Sequence, residues 1–223
     1  MIHFHYNYSP SQLEDKANEL LRQFDAERLE IAKPIDVYAV VEQCLDVPYD
    51  WKYITPDQSV LGMTFFKPGY QWVWPEPRYK AGMLPEKVFY EQGTILIDSF
   101  LTELPDHGPE NFTVMHEVFH QVLHKRCFAH ASGDYRHETH KENLKLRTGR
   151  KTMSALEICE YQANFCAACF LMPRVPVTAM FQHLTSHGQS GFVEESVVAQ
   201  MAAAFSVSKS AMRIRLQSLG LSH

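Results

Sequence analysis

His116, Glu117 and His120 form an H-E-x-x-H motif, in which a helix can present two histidines to one metal ion. Residues four apart lie one above the other on a helix face, so the two imidazoles can converge. Glu117, next to the first histidine, can then polarise a water molecule bound to that metal. The motif therefore predicts the active site of a zinc peptidase.

A zinc peptidase also needs a third protein ligand and an open fourth position. Residues 153–172 lack Gly and Pro and repeat apolar residues at helical spacing, so they are predicted to form a helix that ends at Pro173. Glu160 is the predicted third ligand, and Glu157, one turn earlier, is the alternative. Asn164 shares a helix face with Glu160 and is predicted to hydrogen-bond the far nitrogen of a ligand histidine.

The segment before the motif reads as a strand followed by a loop. Residues 93–98 are a short β-prone run with an aliphatic centre, and Asn111 or Thr113 could cap the motif helix. An extended substrate can pair with a sheet edge beside the metal, so this order of elements suits a peptidase.

Two longer segments resemble the ImmA/IrrE-type metallo-endopeptidases. Residues 112–124 read FTVMHEVFHQVLH, and residues 160–173 read EYQANFCAACFLMP, with a Glu, then Ala-Asn-Phe, then a terminal Leu-Met-Pro. A weaker match lies in the C-terminal run 197–221. Together the three segments extend the resemblance over roughly residues 30–223.

The resemblance implies that His116, His120 and Glu160 bind one zinc ion and that Glu117 is the general base. It also implies limited proteolysis of a protein partner, often a helix-turn-helix repressor encoded nearby, in a mobile-element or stress-response circuit. One departure concerns Phe119, which stands where the family usually has Gly. A bulky side chain there could narrow the space behind the metal and restrict substrate access.

Composition places the chain among cytoplasmic globular proteins. With 223 residues, 45% of them hydrophobic, it can bury a full core as one domain or as a core with a small appendage. The N-terminus does not resemble a signal peptide, and the longest apolar run, residues 165–172, cannot span a bilayer. Five cysteines, an odd count, argue against a disulfide framework and fit a reducing compartment.

Two further clusters could bind a second metal. Cys166 and Cys169 form a C-x-x-C with Cys159 on the same helical face, but buried packing is the favoured interpretation because no matching second pair exists. The segment 125–151 carries eight Lys or Arg against three Asp or Glu. It also contains the four residues Cys127, His130, His137 and His140.

The spacings in this basic segment fit no standard zinc site. It is predicted to be a polar loop or irregular helix beside the active-site mouth, where its charge could attract an acidic substrate segment.

The order of elements predicts an α+β fold. A first helix should start at Ser9-Pro10 or at a capping box beginning with Ser11 and run to about Glu30, and a second should span residues 35–45. Strands and turns should follow, with a hairpin excursion in the aromatic segment 72–87, and helices should dominate from residue 111.

We therefore predict a mostly helical, zincin-like peptidase core with a small β-sheet beside the motif helix. The predicted domains are residues 1–190, the peptidase, and residues 191–223, a helix-turn-helix-like pair docked on the core.

The C-terminal pair has two interpretations. Lys209, Arg213 and Arg215 would face the backbone of a bound DNA duplex. Alternatively, the pair packs on the peptidase core through its apolar residues, which are Val197, Met201, Phe205, Ile214 and Leu216. Docking is favoured over direct nucleic-acid binding because the chain is acidic, with a formal net charge of −5.

The favoured function is a soluble, single-zinc endopeptidase in which a further donor stabilises the oxyanion; the candidates are Tyr135, His137, His140 and Tyr161. The alternative is a non-proteolytic regulatory or protein-binding module that keeps the zinc as a structural or sensing element. Phe119 is the residue that favours this alternative.

Overall fold

A computed structural model of the protein describes residues 8–77, 82–129, 136–141, 153–185 and 194–222. These residues form seven α-helices and six β-strands. The arrangement is α+β, which confirms the predicted fold class.

The first helix, α1, spans Pro10–Asp25 and is fixed at its start by a capping box. The Ser9 hydroxyl accepts from the Gln12 backbone N–H, and the Gln12 side chain accepts from the Ser9 backbone N–H. Of the two predicted starts, Ser9-Pro10 is therefore the one used. The α-helix ends at Asp25, earlier than predicted, and a 3-10 turn at Ala26–Leu29 completes the segment.

The second predicted helix begins two residues later than expected. Asp36 accepts hydrogen bonds from two backbone N–H groups and caps α2, Val37–Val40. A π-helical turn, Val41–Leu45, continues it to the predicted end.

Six strands form two sheets. The strands are β1 (Tyr49–Lys52), β2 (Val60–Phe65), β3 (Gly69–Val73), β4 (Glu86–Tyr90), β5 (Ile95–Asp98) and β6 (Arg136–His140). The larger sheet has the order β1-β5-β2-β6, with β1 parallel to β5 and the other pairs antiparallel. Strands β3 and β4 form a separate antiparallel pair, which confirms the predicted hairpin excursion.

Strand β5 confirms the strand predicted at residues 93–98. Strand β6 corrects the prediction of a loop or irregular helix for the basic segment. Its alternating residues His137 and Thr139 are buried while Arg136 and His140 are exposed, so it behaves as a half-buried strand. The remaining residues of that segment, 130–135 and 142–151, lie outside the described residues.

The motif helix starts earlier than predicted. The next three helices are α3 (Gly108–Ala129), α4 (Ala155–Leu171) and α5 (Arg174–Thr185). Neither Asn111 nor Thr113 caps α3. The Thr113 hydroxyl donates to the Pro109 carbonyl inside the helix, and Pro109 favours the first turn because its missing N–H needs no partner there.

The main hydrophobic core joins α1, α3 and α4 with the last two helices, α6 (Glu195–Phe205) and α7 (Lys209–Ser218). Val197, Met201, Phe205 and Leu216 are buried in it as predicted, whereas Ile214 is half-buried and Met212 is the fully buried neighbour. The C-terminal helices therefore share the core that holds the motif helix. The predicted domain boundary, between residues 190 and 191, lies outside the described residues.

The three basic residues of the C-terminal pair form hydrogen bonds or ion pairs with other residues of the protein. Arg215 is only 3% exposed, and its guanidinium donates to the Met172 carbonyl at 2.9 Å and to Glu14 Oε1 at 3.0 Å. Lys209 and Arg213 both pair with Glu195. The disfavoured DNA-binding interpretation required Arg215 to face a DNA backbone, but this buried side chain caps the end of α4 instead.

The turn between α6 and α7 sits directly on the start of α3. A Cβ atom added to Gly108 would lie 2.2 Å from the Ser208 backbone nitrogen and 2.5 Å from the Val207 carbonyl carbon. The Asn111 side chain donates to the Ser206 carbonyl at 2.9 Å. The absence of a side chain at residue 108 thus permits contact between the two backbones.

Gly108→Ala is therefore expected to destabilise the protein. The added methyl group cannot fit without shifting backbone atoms, and overpacking of this kind typically costs about 1–3 kcal/mol. Urea denaturation of the full chain measures the loss in the free energy of unfolding. Ser210→Ala, on the exposed side of α7, is the control and should stay within about 0.5 kcal/mol of wild type. Equal stability of the two variants would contradict this close contact.

Across the described ranges, no single helix has both the length and the apolar composition needed to cross a bilayer. Helices α4 and α5 meet those criteria only when taken together, across a bend of 58°.

Candidate metal centre

Helices α3 and α4 bring His116, His120 and Glu160 together. The two histidine Nε2 atoms lie 2.8 Å apart. Glu160 Oε1 lies 3.1 Å from His120 Nε2, and Glu160 Oε2 lies 3.8 Å from His116 Nε2. Among the described residues, these buried side chains are the only group of three or more His, Cys, Asp or Glu residues whose ligand atoms all lie within 4.8 Å of one another.

Asn164 sets the tautomer of His116. Its side-chain oxygen lies 3.0 Å from His116 Nδ1. Because an amide oxygen only accepts, Nδ1 carries the proton and donates it, which leaves a lone pair on Nε2. This is the contact that the sequence predicts for Asn164.

A second relay sets the tautomer of His120. His124 Nε2 lies 3.0 Å from the Gln162 side-chain oxygen, so it donates and leaves His124 Nδ1 as an acceptor. His120 Nδ1, 3.1 Å from His124 Nδ1, must then be the donor. The Nε2 atom of His120 therefore also carries a lone pair.

The hydrogen bonds from His120 through His124 to Gln162 were not predicted from the sequence. The signal for His124 was present, because His116, His120 and His124 recur every four residues along α3. Gln162 gave no comparable signal.

The donor set fits a divalent cation. Two Nε2 lone pairs face each other at 2.8 Å, and neither Glu160 oxygen accepts a hydrogen bond from the part of the chain that the structure describes. Burial lowers the pKa of His116 to about 3, that of His124 to about 4, and that of His120 well below its ordinary value. The rings are therefore neutral at neutral pH, the form that a metal requires.

Glu117 lies beside this cluster and against the sheet. Its carboxylate accepts from the Thr64 hydroxyl at 2.7 Å. A Cβ atom added to Gly62 would lie 2.5 Å from Glu117 Oε1, so the glycine gives the carboxylate its space. Burial raises the pKa of the Glu117 carboxyl to about 7, while the Thr64 hydrogen bond and the nearby Thr139 act to lower it. A carboxyl with this pKa is suited to both accept and donate a proton near neutral pH.

Glu157, the alternative ligand, has a different role. It is exposed at the start of α4, where its carboxylate accepts from the Ser154 backbone N–H at 2.8 Å and forms a capping box. The structure thus places Glu160 in the cluster and Glu157 at the helix end.

The Phe119 side chain belongs to the main core. It is fully buried, and its ring packs edge-on against Phe170 with centroids 5.9 Å apart. The bulk that replaces the glycine usual in the resembled family is therefore accommodated by packing between α3 and α4.

The candidate oxyanion donors that the structure describes differ in burial and in distance from the cluster. His137 is buried, and its Nε2 lies 2.8 Å from Glu160 Oε1. His140 is exposed, and Tyr161 stacks near Phe165 with centroids 5.8 Å apart. Tyr135 lies outside the described residues. Only His137, among the three that are described, contacts a member of the cluster.

The cysteines pack as predicted. All five lie in the described part of the chain and are free, and Cys159, Cys166 and Cys169 are fully buried. Cys166 Sγ donates to the Leu13 carbonyl at 3.3 Å, and Cys169 Sγ accepts from Arg215 at 3.3 Å. The C-x-x-C pair therefore joins α4 to its neighbours.

A comparison with protein families finds one match for the region that contains this cluster. The model for peptidase M78, described as the IrrE N-terminal-like domain, matches residues 100–217. The match covers more than half of the chain and includes both α3 and α4. No curated protein sequence matches the chain.

Proposed function

Because the chain belongs to the peptidase M78 family of IrrE N-terminal-like domains, we propose that it is a zinc-dependent endopeptidase. The reaction is limited proteolysis of a protein partner, and the partner class is a helix-turn-helix transcriptional repressor. The partner class follows from the resemblance of residues 112–124 and 160–173 to the ImmA/IrrE-type enzymes.

This proposal rests on the convergence of the His116, His120 and Glu160 side chains. Two Nε2 lone pairs and one carboxylate meet in a buried site, and a second carboxylate of raised pKa follows the first histidine directly. His116, His120 and Glu160 supply the nitrogen and oxygen donors that zinc accepts, and three protein ligands leave one position open.

When bound, zinc would lower the pKa of a water molecule and polarise the scissile carbonyl. Glu117 then takes the proton of the attacking water and later delivers it to the leaving amine. Thr64 holds the Glu117 carboxylate through its 2.7 Å hydrogen bond. The Asn164 contact and the His124–Gln162 relay keep both histidine rings in the ligand tautomer.

The purified protein is expected to carry about one zinc ion per chain, because three convergent ligands form a single site. Elemental analysis after gentle purification measures the content, and titration of the stripped protein measures uptake. A purified protein that retains no zinc and takes up none on titration would contradict the proposed centre.

The peptidase activity is tested on a helix-turn-helix repressor encoded near the gene, the partner class that the resemblance implies. Zinc-loaded protein should cut it at defined positions, a chelator should stop the cleavage, and one equivalent of zinc should restore it. Generic substrates such as casein are unsuitable as the only test, because an enzyme of limited proteolysis can ignore them. A bound but uncut repressor would contradict the endopeptidase.

The burial of the centre favours one rival function. His116, Glu117 and His120 have no exposed surface, and Glu160 is 8% exposed. A non-proteolytic regulatory module with a structural or sensing zinc would be closed in this way. Zinc binding fits both functions, so cleavage of the partner is the measurement that separates them.

A further inference from the structure

We propose that His137, on β6, is a positioning residue that holds the Glu160 carboxylate at the metal centre. The inference rests on the proposed function, since it assumes that Glu160 is a zinc ligand. It also makes β6, which lies outside both motif segments, a part of the site.

Glu160 needs a partner that is not itself a metal ligand. Its long side chain must hold a carboxylate still, and a carboxylate that binds a metal through one oxygen leaves the other to be held by the protein. Three histidine nitrogens approach it: His137 Nε2 at 2.8 Å, His120 Nε2 at 3.1 Å and His116 Nε2 at 3.8 Å. The nearest of them belongs to the only histidine of the three outside the metal-binding group.

The backbone of β6 is fixed beside the site by its pairing with β2. His137 is opposite Thr64 and Thr139 is opposite Gly62 in this antiparallel pair. Side chains opposite each other share a sheet face. The face that meets Glu117 through Gly62 and Thr64 therefore also presents His137 to Glu160.

The ring of His137 is held on its other sides. Its Nδ1 lies 3.2 Å from the Glu138 carbonyl, which only accepts, so Nδ1 is a donor there. The ring lies on that of His120 with centroids 4.4 Å apart and meets Phe128 edge-on at 6.4 Å. Such a pre-oriented ring can hold a carboxylate at little entropic cost.

The contact between His137 and Glu160 is a close approach of buried polar atoms. In the described part of the chain, His137 Nε2 and both Glu160 oxygens make no hydrogen bond of good geometry, although Nε2 and Oε1 are 2.8 Å apart. All three atoms are buried. Buried polar groups without hydrogen bonds are costly, so their clustering marks a site prepared for a further group.

The test compares zinc affinity among three variants by competition with a chromophoric chelator. His137→Leu keeps much of the ring volume but cannot contact the carboxylate through a polar atom, and it should weaken zinc binding by about 10–100-fold. His137→Gln keeps a side-chain N–H donor, and its zinc affinity should be close to that of wild type. His140→Ala, on the exposed side of the same strand, is the control and should leave the affinity unchanged.

Rescue by Gln distinguishes positioning from simple packing, because both replacements fill the space. If His137→Leu fails to fold, His137→Ala takes its place as the non-polar variant, and zinc affinity equal to wild type in His137→Ala contradicts the role. A His137→Leu variant that binds zinc as tightly as wild type overturns the inference, even if cleavage of the repressor falls. A wild-type protein that binds no zinc overturns the proposed function and this inference together.

Discussion

Replacing Glu160 with Ala is expected to weaken zinc binding by more than about 100-fold, beyond the range typical for loss of an outer-shell partner. The change removes one of the three proposed ligands and leaves only the pair of histidines. The loss should also appear as reduced stabilisation by added zinc, since a ligand at 100 times its Kd contributes about 2.7 kcal/mol to the folded state. Competition with a chelator and thermal unfolding with and without zinc measure the two effects.

Glu157→Ala is the matched control, on the same helix and one turn away. It should leave zinc affinity unchanged, because its carboxylate is exposed and caps α4. Its expected cost is about 0.3–1.5 kcal/mol of stability from the lost capping-box hydrogen bond. The reverse order of zinc affinities would move the ligand assignment from Glu160 to Glu157.

The metal-binding cluster could be predicted from the sequence because its members lie on long helices. Residues four apart on one helix have a fixed relation whatever the rest of the fold does, so His116 with His120, and Glu160 with Asn164, could be paired from spacing alone. The structure adds that α3 and α4 pack together and bring the two pairs within contact.

The strand that completes the site could not be predicted in this way. Residues 136–140 read RHETH and are all polar, so the sequence lacks the apolar–polar alternation that marks a half-buried strand. The roles of Thr64, Gly62 and His137 depend on the register between β2 and β6. That register is a tertiary feature, and no local spacing encodes it.

The C-terminal pair of helices shows that the charge of a residue does not predict from the sequence whether its side chain is buried. Arg213 and Arg215 are equally basic in the sequence, yet one is exposed and pairs with Glu195 while the other is buried. The buried one bonds to Glu14, near the opposite end of the chain. Two helices joined by a short turn and packed on the core were predicted from the sequence, but only the packing shows that Arg215 is buried and Arg213 is exposed.

Glu117→Gln is expected to lower the rate of partner cleavage by about 10² to 10⁴-fold, the usual contribution of a positioned general base. Gln has nearly the size of Glu and can still accept a hydrogen bond from Thr64, but it cannot take a proton. The three proposed ligands are untouched, so zinc content and thermal stability should stay close to wild type. Those two measurements are the control that the site remains intact.

The most direct test compares wild type and Glu117→Gln, both loaded with one zinc, on the proposed repressor substrate. Mass spectrometry identifies new peptide termini and gives the rate at which they form. We expect defined termini from wild type and a rate at least about 100-fold lower from the variant. Equal cleavage by both proteins would show that Glu117 is not the base, and binding by both without any new terminus would contradict the peptidase itself.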